Sequence, residues 1–349
     1  MMLLGTEQPK AGAMKQRDEA IDILKGILVV GMILSHVSGL ISSYNGFPMK
    51  HYWLFSGLVS FSGFFFCFGY VCQFAYFGKD FQVAYRRMLV TALKPLIAFY
   101  ISGIYWRFFV DKQFNHSTIV NILLLNDIPP FSEFLISYSL IILVSLLLFR
   151  PIQILTESRK AFWVICGLLL LTTFIPYQAV KLSQLALFVG TDRFPTYPIL
   201  QYFPIFLLGV YFAKYRIRHH LKALLIFTAG MVGFAAFYYL RGYTPSRFPP
   251  SLLWILCSLF FVYGYYLIAQ RLATWQFAVQ PLSLLGKNVL FYLLMSNLAI
   301  FTFRGAYKPL DLNPLMSFVL TASVLIGISF LIIIVVPPVK KSGVSQTSS

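Results

Sequence analysis

Long apolar runs separated by short polar connections dominate this chain. Runs of about 17–25 apolar residues, enough to cross roughly 30 Å of hydrocarbon, cover 21–42, 54–77, 88–110, 131–149, 161–176, 197–213, 221–240, 250–269, 282–303 and 314–336. This pattern predicts an all-α, polytopic membrane protein of about ten transmembrane helices around a central polar cavity. The stretch 118–130, TIVNILLLNDIPP, is apolar but short and ends in two prolines, so it reads as an interfacial or re-entrant segment. Residues 1–20 are polar and lack the apolar core of a cleavable signal, so the first span is expected to be retained. The division that follows is a cytoplasmic segment (1–20), one transmembrane domain (21–337) and a short cytoplasmic tail (338–349).

Composition agrees with the pattern. The chain is 58% hydrophobic and 11% charged, with a mean hydropathy of +0.76, more apolar than one soluble core can hide. With the N-terminus placed inside, most of the 28 lysines and arginines fall in cytoplasmic loops, among them Arg86, Arg87, Arg150, Arg159, Lys160 and Lys214. Both termini are therefore expected in the cytoplasm. The net charge of +17 follows this positive-inside asymmetry, so no nucleic-acid partner is expected; a basic inner face suits anionic lipid headgroups or a phosphorylated ligand. The four cysteines lie inside apolar spans without metal-ligand spacing, and no metal is expected.

Candidate chemistry sits in polar residues within the spans. Asp22, Lys25 and His36 share the first span at separations of 3 and 11 residues. Eleven residues at 100° each bring His36 to within about 20° of Lys25, some 16 Å further along the axis. All three can line one face, and ionisable groups in a span usually face a protein interior or a water-filled cavity. A neutral imidazole there can take a proton from a hydroxyl or amine. The competing reading has Asp22 and Lys25 at the helix end and His36 bonded to a neighbouring backbone. The other histidines read as surface groups, His219 and His220 within the basic run KYRIRHHLK. In YRRMLVTALKP, 85–95, Arg86 and Arg87 mark the entrance of the third span, and Lys94 lies about 10 Å deeper, before a proline that loosens the helix. Phosphates would satisfy these cations, as would snorkelling to the interface. Asp111, Asp127, Glu133 and Asp192 are available but unclustered in sequence.

Five segments together resemble the membrane acyltransferases of acyltransferase family 3 and their relatives. They are D-I-L-K-G with a histidine ten residues after the glycine, FSGFFFCFGYVC at 61–72, YRRMLVTALKP, YFPIFLLGVYFAKY at 202–215 and LSLLGKNVLFYLL at 282–294. The order is that of the family. After GKN, Val289 replaces a frequent serine, and LLMSN at 293–297 lacks the histidine that often follows the tyrosine. SRFPPSLLW at 246–254 is similar to a segment of the heparan glucosaminide N-acetyltransferase branch.

The resemblance implies transfer of an acyl group, usually acetyl from acetyl-CoA, to a hydroxyl or amino group of a sugar on a surface polysaccharide, glycolipid or lipid-linked precursor. It implies a multi-pass protein of a cell membrane, the inner membrane in a bacterium. His36 becomes the catalytic base or acyl carrier, with Lys25 and Asp22 beside it, and Arg86, Arg87 and Lys94 face the acetyl-CoA donor. The outer loops TDRFPTYP, 191–198, and RGYTPSRFPP, 241–250, would hold the glycan. The rival class is a transporter or flippase of a lipid-linked or anionic sugar, whose usual internal repeat is not seen here. A glycosyltransferase would want clustered outer carboxylates.

Overall fold

The computed structural model describes residues 18–44, 46–180, 185–190 and 196–335. Most of the expected N-terminal segment, the whole expected tail and residues 191–195 of the expected loop 191–198, Asp192 among them, lie outside the described residues. The rest is all-helical. In chain order the α-helices are α1 (Glu19–Leu40), α2 (Met49–Cys72, continued by a π turn, Gln73–Phe77), α3 (Phe81–Phe109), α4 (His116–Leu123), α5 (Glu133–Leu147), α6 (Phe149–Leu155) and α7 (Arg159–Leu171). There follow α8 (Ala186–Val189), α9 (Ile199–Lys214), α10 (Leu221–Arg241), α11 (Leu252–Leu272), α12 (Gln276–Lys287), α13 (Val289–Ala306) and α14 (Pro314–Val335). No β-strand forms among the described residues; a single backbone bridge joins Ser42 to Leu310.

Seven of these helices, α1, α2 with its π turn, α3, α10, α11, α13 and α14, are long and apolar enough to cross a membrane, and the pair α5–α6, bent by 78°, is an eighth if counted as one span. Ten full spans are not present among the described residues, and each shortfall has a local cause. Helix α7 stops where Thr172 and Thr173 turn their hydroxyls back onto the carbonyls of Leu169 and Leu170. Expected span 282–303 is present as α13 but starts later, after a break at Lys287–Asn288 that separates it from α12. Helix α9 has 16 residues, and every one from Gln201 to Ala213 is buried. Its continuous apolar character comes from enclosure by protein on all sides, which sequence cannot distinguish from immersion in lipid.

Helix α1 is the hub. Asp18 caps it by accepting from the Ala20 amide at 3.0 Å, and Tyr70 of α2 donates to the same carboxylate at 2.6 Å. Acidic Glu19 and Asp22 in its first turn complement the positive helix end. It packs against α2, α11, α12, α13 and α14.

Two crossings bring backbones into contact. Where α1 meets α12, a Cβ on Gly26 would collide with the Leu282 carbonyl and one on Gly286 with the Asp22 carbonyl. Where α2 meets α9, Gly69 lies on the Phe206 carbonyl and Gly209 on the Phe66 carbonyl in the same reciprocal way. Small residues permit such approach, and packing then replaces the hydrophobic effect as the force joining helices in lipid. Pro95 does not interrupt α3; beside it, the Ala92 carbonyl accepts from Ser139 of α5 at 2.8 Å, which binds the two helices together. His220, expected at the surface, caps α10 instead, its Nδ1 accepting from the Ala223 amide at 3.1 Å.

If the crossings are the constraint, Gly69→Val and Gly286→Val should lower the thermal midpoint of the purified protein or prevent its folding, since overpacking costs about 1–3 kcal/mol or more. Gly264→Ala, where a Cβ meets nothing within 4 Å, should leave the midpoint unchanged or raised. Equal effects at the three positions, read by size-exclusion and thermal unfolding, would contradict the packing account.

Candidate functional site

A cavity of about 230 Å³ opens at the end of the bundle where α1 finishes and α2, α5, α9 and α11 begin. Connectivity sets this arrangement. The chain leaves α1 four residues after His36 and re-enters α2 a few residues before Trp53, so both residues belong to the same end. The segment before α5 supplies Pro130 and Phe131. It is tied to α3 by Arg107, which donates through Nε to Asp127 at 2.8 Å and also pairs with Asp111 and with the second oxygen of Asp127. Two of the carboxylates that are unclustered in sequence thus meet on one guanidinium.

His36 stands in the cavity wall, half-buried. Its Nδ1 lies 3.0 Å from Oδ1 of Asn297 on α13, a side chain with no exposure to solvent. The Asn297 amide nitrogen donates to Ser102 Oγ at 3.2 Å and to the Phe131 carbonyl at 3.1 Å. A carbonyl can only accept, so the amide orientation is fixed and Oδ1 must face the imidazole. An amide oxygen can only accept as well, so Nδ1 carries the proton. The basic lone pair is left on Nε2, which has no hydrogen-bond partner among the described residues. The Phe131 ring meets the imidazole edge-on at 5.1 Å, and Trp106 and Phe301 pack behind it. The result is a neutral imidazole of fixed tautomer, held from behind, with its base directed away from its support.

Facing polar groups are Ser35, Ser56, Ser60, Thr196, Glu133 and Arg247. Glu133 opens α5, and Arg247 lies in the segment before α11. Around them Trp53, Phe61, Phe64, Phe134 and Phe248 give an aromatic lining, with Phe61 stacked on Tyr197 at 3.8 Å.

The other expected site residues lie elsewhere. Asp22 and Lys25 pair at 2.7 Å, with Asp22 buried beside the α1–α12 crossing, and neither lines the His36 cavity. The angular coincidence along α1 holds, but α12 covers the lower part of that face. The space above Gly26 is occupied by the same helix. Arg86 and Arg87 are exposed and line a separate shallow pocket of about 450 Å³ with Tyr76, Lys79 and Thr91, at the bundle end opposite His36. Lys94 is exposed and does not line that pocket.

Sequence reasoning did not select Asn297, noted Glu133 only as an unclustered carboxylate, and reached Arg247 only as part of the loop 241–250. A lone asparagine in an apolar span was an available signal for the first. For the other two nothing in the spacing shows that segments more than 100 residues apart converge.

Comparison with known proteins adds one finding. A family model described as an acyltransferase domain matches residues 18–335. No curated protein matches the chain.

The tautomer argument can be checked on ¹⁵N-histidine-labelled protein. The His36 spectrum should show a protonated Nδ1 and an unprotonated Nε2 at neutral pH, and Asn297→Leu should remove that preference. A protonated Nε2 in the wild type would refute the assignment.

Proposed function

The chain belongs to the acyltransferase family 3, and from that premise we propose that it transfers an acyl group, acetyl in the simplest case, from acyl-CoA to a sugar hydroxyl in the His36 cavity. The observation that carries this reading is His36 itself, an imidazole locked by a buried asparagine with its Nε2 lone pair left to the cavity. In the direct form of the reaction Nε2 takes the hydroxyl proton as the sugar oxygen attacks the thioester carbon. The C–O bond forms, the C–S bond breaks, and the imidazolium returns the proton to the CoA thiolate. Asn297 accepts from Nδ1–H throughout and so stabilises the positive charge that develops on the ring. In the two-step form Nε2 attacks the thioester carbon, the C–N bond forms, the C–S bond breaks and CoA leaves as the thiolate; the sugar oxygen then attacks the acyl-imidazolium, the C–N bond breaks, and the hydroxyl proton passes to the thiolate. Both forms use the same nitrogen.

Arg86 and Arg87 are assigned to the phosphates of the donor, with Lys79 in the same pocket. Charge-assisted contacts from guanidinium groups suit phosphate oxygens. Lys94, exposed one turn beyond Thr91, is placed by this reading at the edge of the donor path or at the lipid interface. Lys25 and Asp22 act as a structural ion pair below the cavity. Donor and acceptor then approach from opposite ends of the bundle, a distance that an extended pantetheine arm is suited to bridge; His36 lies about 16 Å along α1 from Lys25. The aromatic cavity lining suits the faces of a sugar ring. Acceptors of this class would be surface polysaccharides, glycolipids or lipid-linked precursors in a bacterial inner membrane.

His36→Ala should reduce transfer of radiolabelled acetyl from acetyl-CoA to membrane glycans by about 10²–10⁴-fold, with expression, detergent extraction and thermal midpoint unchanged. Transfer at the wild-type rate would remove His36 from the chemistry. Charge reversal at Arg86 and Arg87 together should raise KM for acetyl-CoA about tenfold or more while the acceptor KM stays constant, because that contact is remote from bond making. A matching rise in both constants, or in neither, would reassign these arginines to the membrane surface.

A further inference from the structure

The cavity holds more polar chemistry than acyl transfer to a neutral sugar needs. Arg247 is positioned by packing. Its guanidinium occupies the space above Gly57, where an added Cβ would lie 2.6 Å from Cζ, and it sits over the rings of Phe248 at 4.5 Å, Trp53 at 5.2 Å and Trp254 at 5.9 Å. It forms no ion pair among the described residues, although Glu133 lines the same cavity and is near enough to feel its charge. Its Nε is buried without a hydrogen-bond partner, and so is Oγ1 of Thr196 on the same cavity wall. Tyr197, adjacent to Thr196, feels the Arg247 charge and also reaches the guanidinium with its phenol oxygen, leaving Nε as the unmatched donor.

A buried donor left unmatched costs free energy, more so on a charged group. Aromatic faces hold the cation in place but leave its charge without a counter-ion. Two residues of one cavity wall thus carry unmatched polar groups, and a ligand bearing an anionic oxygen for Arg247 and a hydroxyl for Thr196 would match them. Glu133 and the serines can take further hydroxyl protons.

Resting on the reading of this cavity as the acceptor site, we infer that Arg247 selects an acidic saccharide, one whose sugar unit carries a carboxylate or a phosphate close to the hydroxyl that is acylated. The guanidinium is a binding and specificity group, with no part in proton transfer. A carboxylate would come from a uronic acid and a phosphate from a sugar phosphate; both present planar or tetrahedral oxygens to the same N–H edge.

The test uses the full-length protein in a detergent without a sugar headgroup and with no acyl-CoA present. The thermal midpoint is followed against increasing methyl glucoside, methyl glucuronoside or glucose 6-phosphate, for wild type, Arg247→Gln, Arg247→Lys and Thr196→Val. Either or both anionic sugars should stabilise the wild type at concentrations about 10–100-fold below methyl glucoside. Whichever of the two acts identifies the carboxylate or the phosphate as the recognised group. That advantage should vanish in Arg247→Gln and be partly kept in Arg247→Lys. Thr196→Val should weaken all three sugars alike; if Arg247→Gln does not fold, Arg247→Lys carries the test, since it should shrink the anionic advantage while leaving methyl glucoside unchanged. The inference is overturned if no anionic sugar stabilises, if methyl glucoside does as well, or if the anionic preference survives in Arg247→Gln. Acetyl-CoA turnover by the same preparation tests acyl transfer separately, so failure of one reading is not mistaken for failure of the other.

Discussion

Backbone contact at two glycine crossings is the constraint on which the rest of this structure depends. Gly26 with Gly286 joins α1 to α12, and Gly69 with Gly209 joins α2 to α9. Lipid tails are as apolar as leucine, so burial alone gives helices little reason to associate; close packing does. Because α1 and α2 are also paired with each other, the two crossings place four helices in one rigid unit. The far ends of α1 and α2, beyond the crossings, are left to diverge around the cavity.

The same organisation separates two kinds of polarity. Near the crossings, charge is neutralised on the spot, as in the Asp22–Lys25 pair, and polar atoms serve structure. At the cavity end, the support of His36 is a neutral amide, Asn297, bonded on both its oxygen and its nitrogen, while Arg247 Nε and Thr196 Oγ1 on the cavity wall are left without partners. A buried polar network whose members are all matched rigidifies its surroundings. Here that rigidity is delivered to one imidazole.

Much of this was legible in the sequence, and the failures follow from identifiable physics. The all-helical membrane class, the first three spans, α10, α11 and α14 follow from apolar length alone. Helix α9 misleads because a helix enclosed by protein and one enclosed by lipid have the same composition. The family-like segments were readable as a succession, yet Gly26, Gly69, Gly209 and Gly286 within them lie at the crossings, so part of what makes these motifs recognisable is packing. His36 was visible as a lone histidine in a span. Its supporting asparagine was not, because it is 261 residues away and only the fold brings the two together. Arg247 was legible only as part of the outer loop 241–250 expected to hold the glycan, because its place in the cavity wall among Trp53, Phe248 and Trp254 depends on the fold.

The proposed function depends above all on one spatial arrangement, in which the acyl carbon would be presented to Nε2 of His36 by a donor whose nucleotide end lies at Arg86 and Arg87. The most direct measurement is an electron cryomicroscopy structure of the full-length protein in lipid nanodiscs with a non-transferable thioether analogue of acetyl-CoA. The account predicts density for the nucleotide in the pocket lined by Lys79, Arg86 and Arg87, with the carbon that replaces the thioester carbonyl within about 3–3.5 Å of Nε2. An analogue whose acyl end stops at Asp22 and Lys25, or whose nucleotide occupies the cavity mouth beside Arg247, would contradict it.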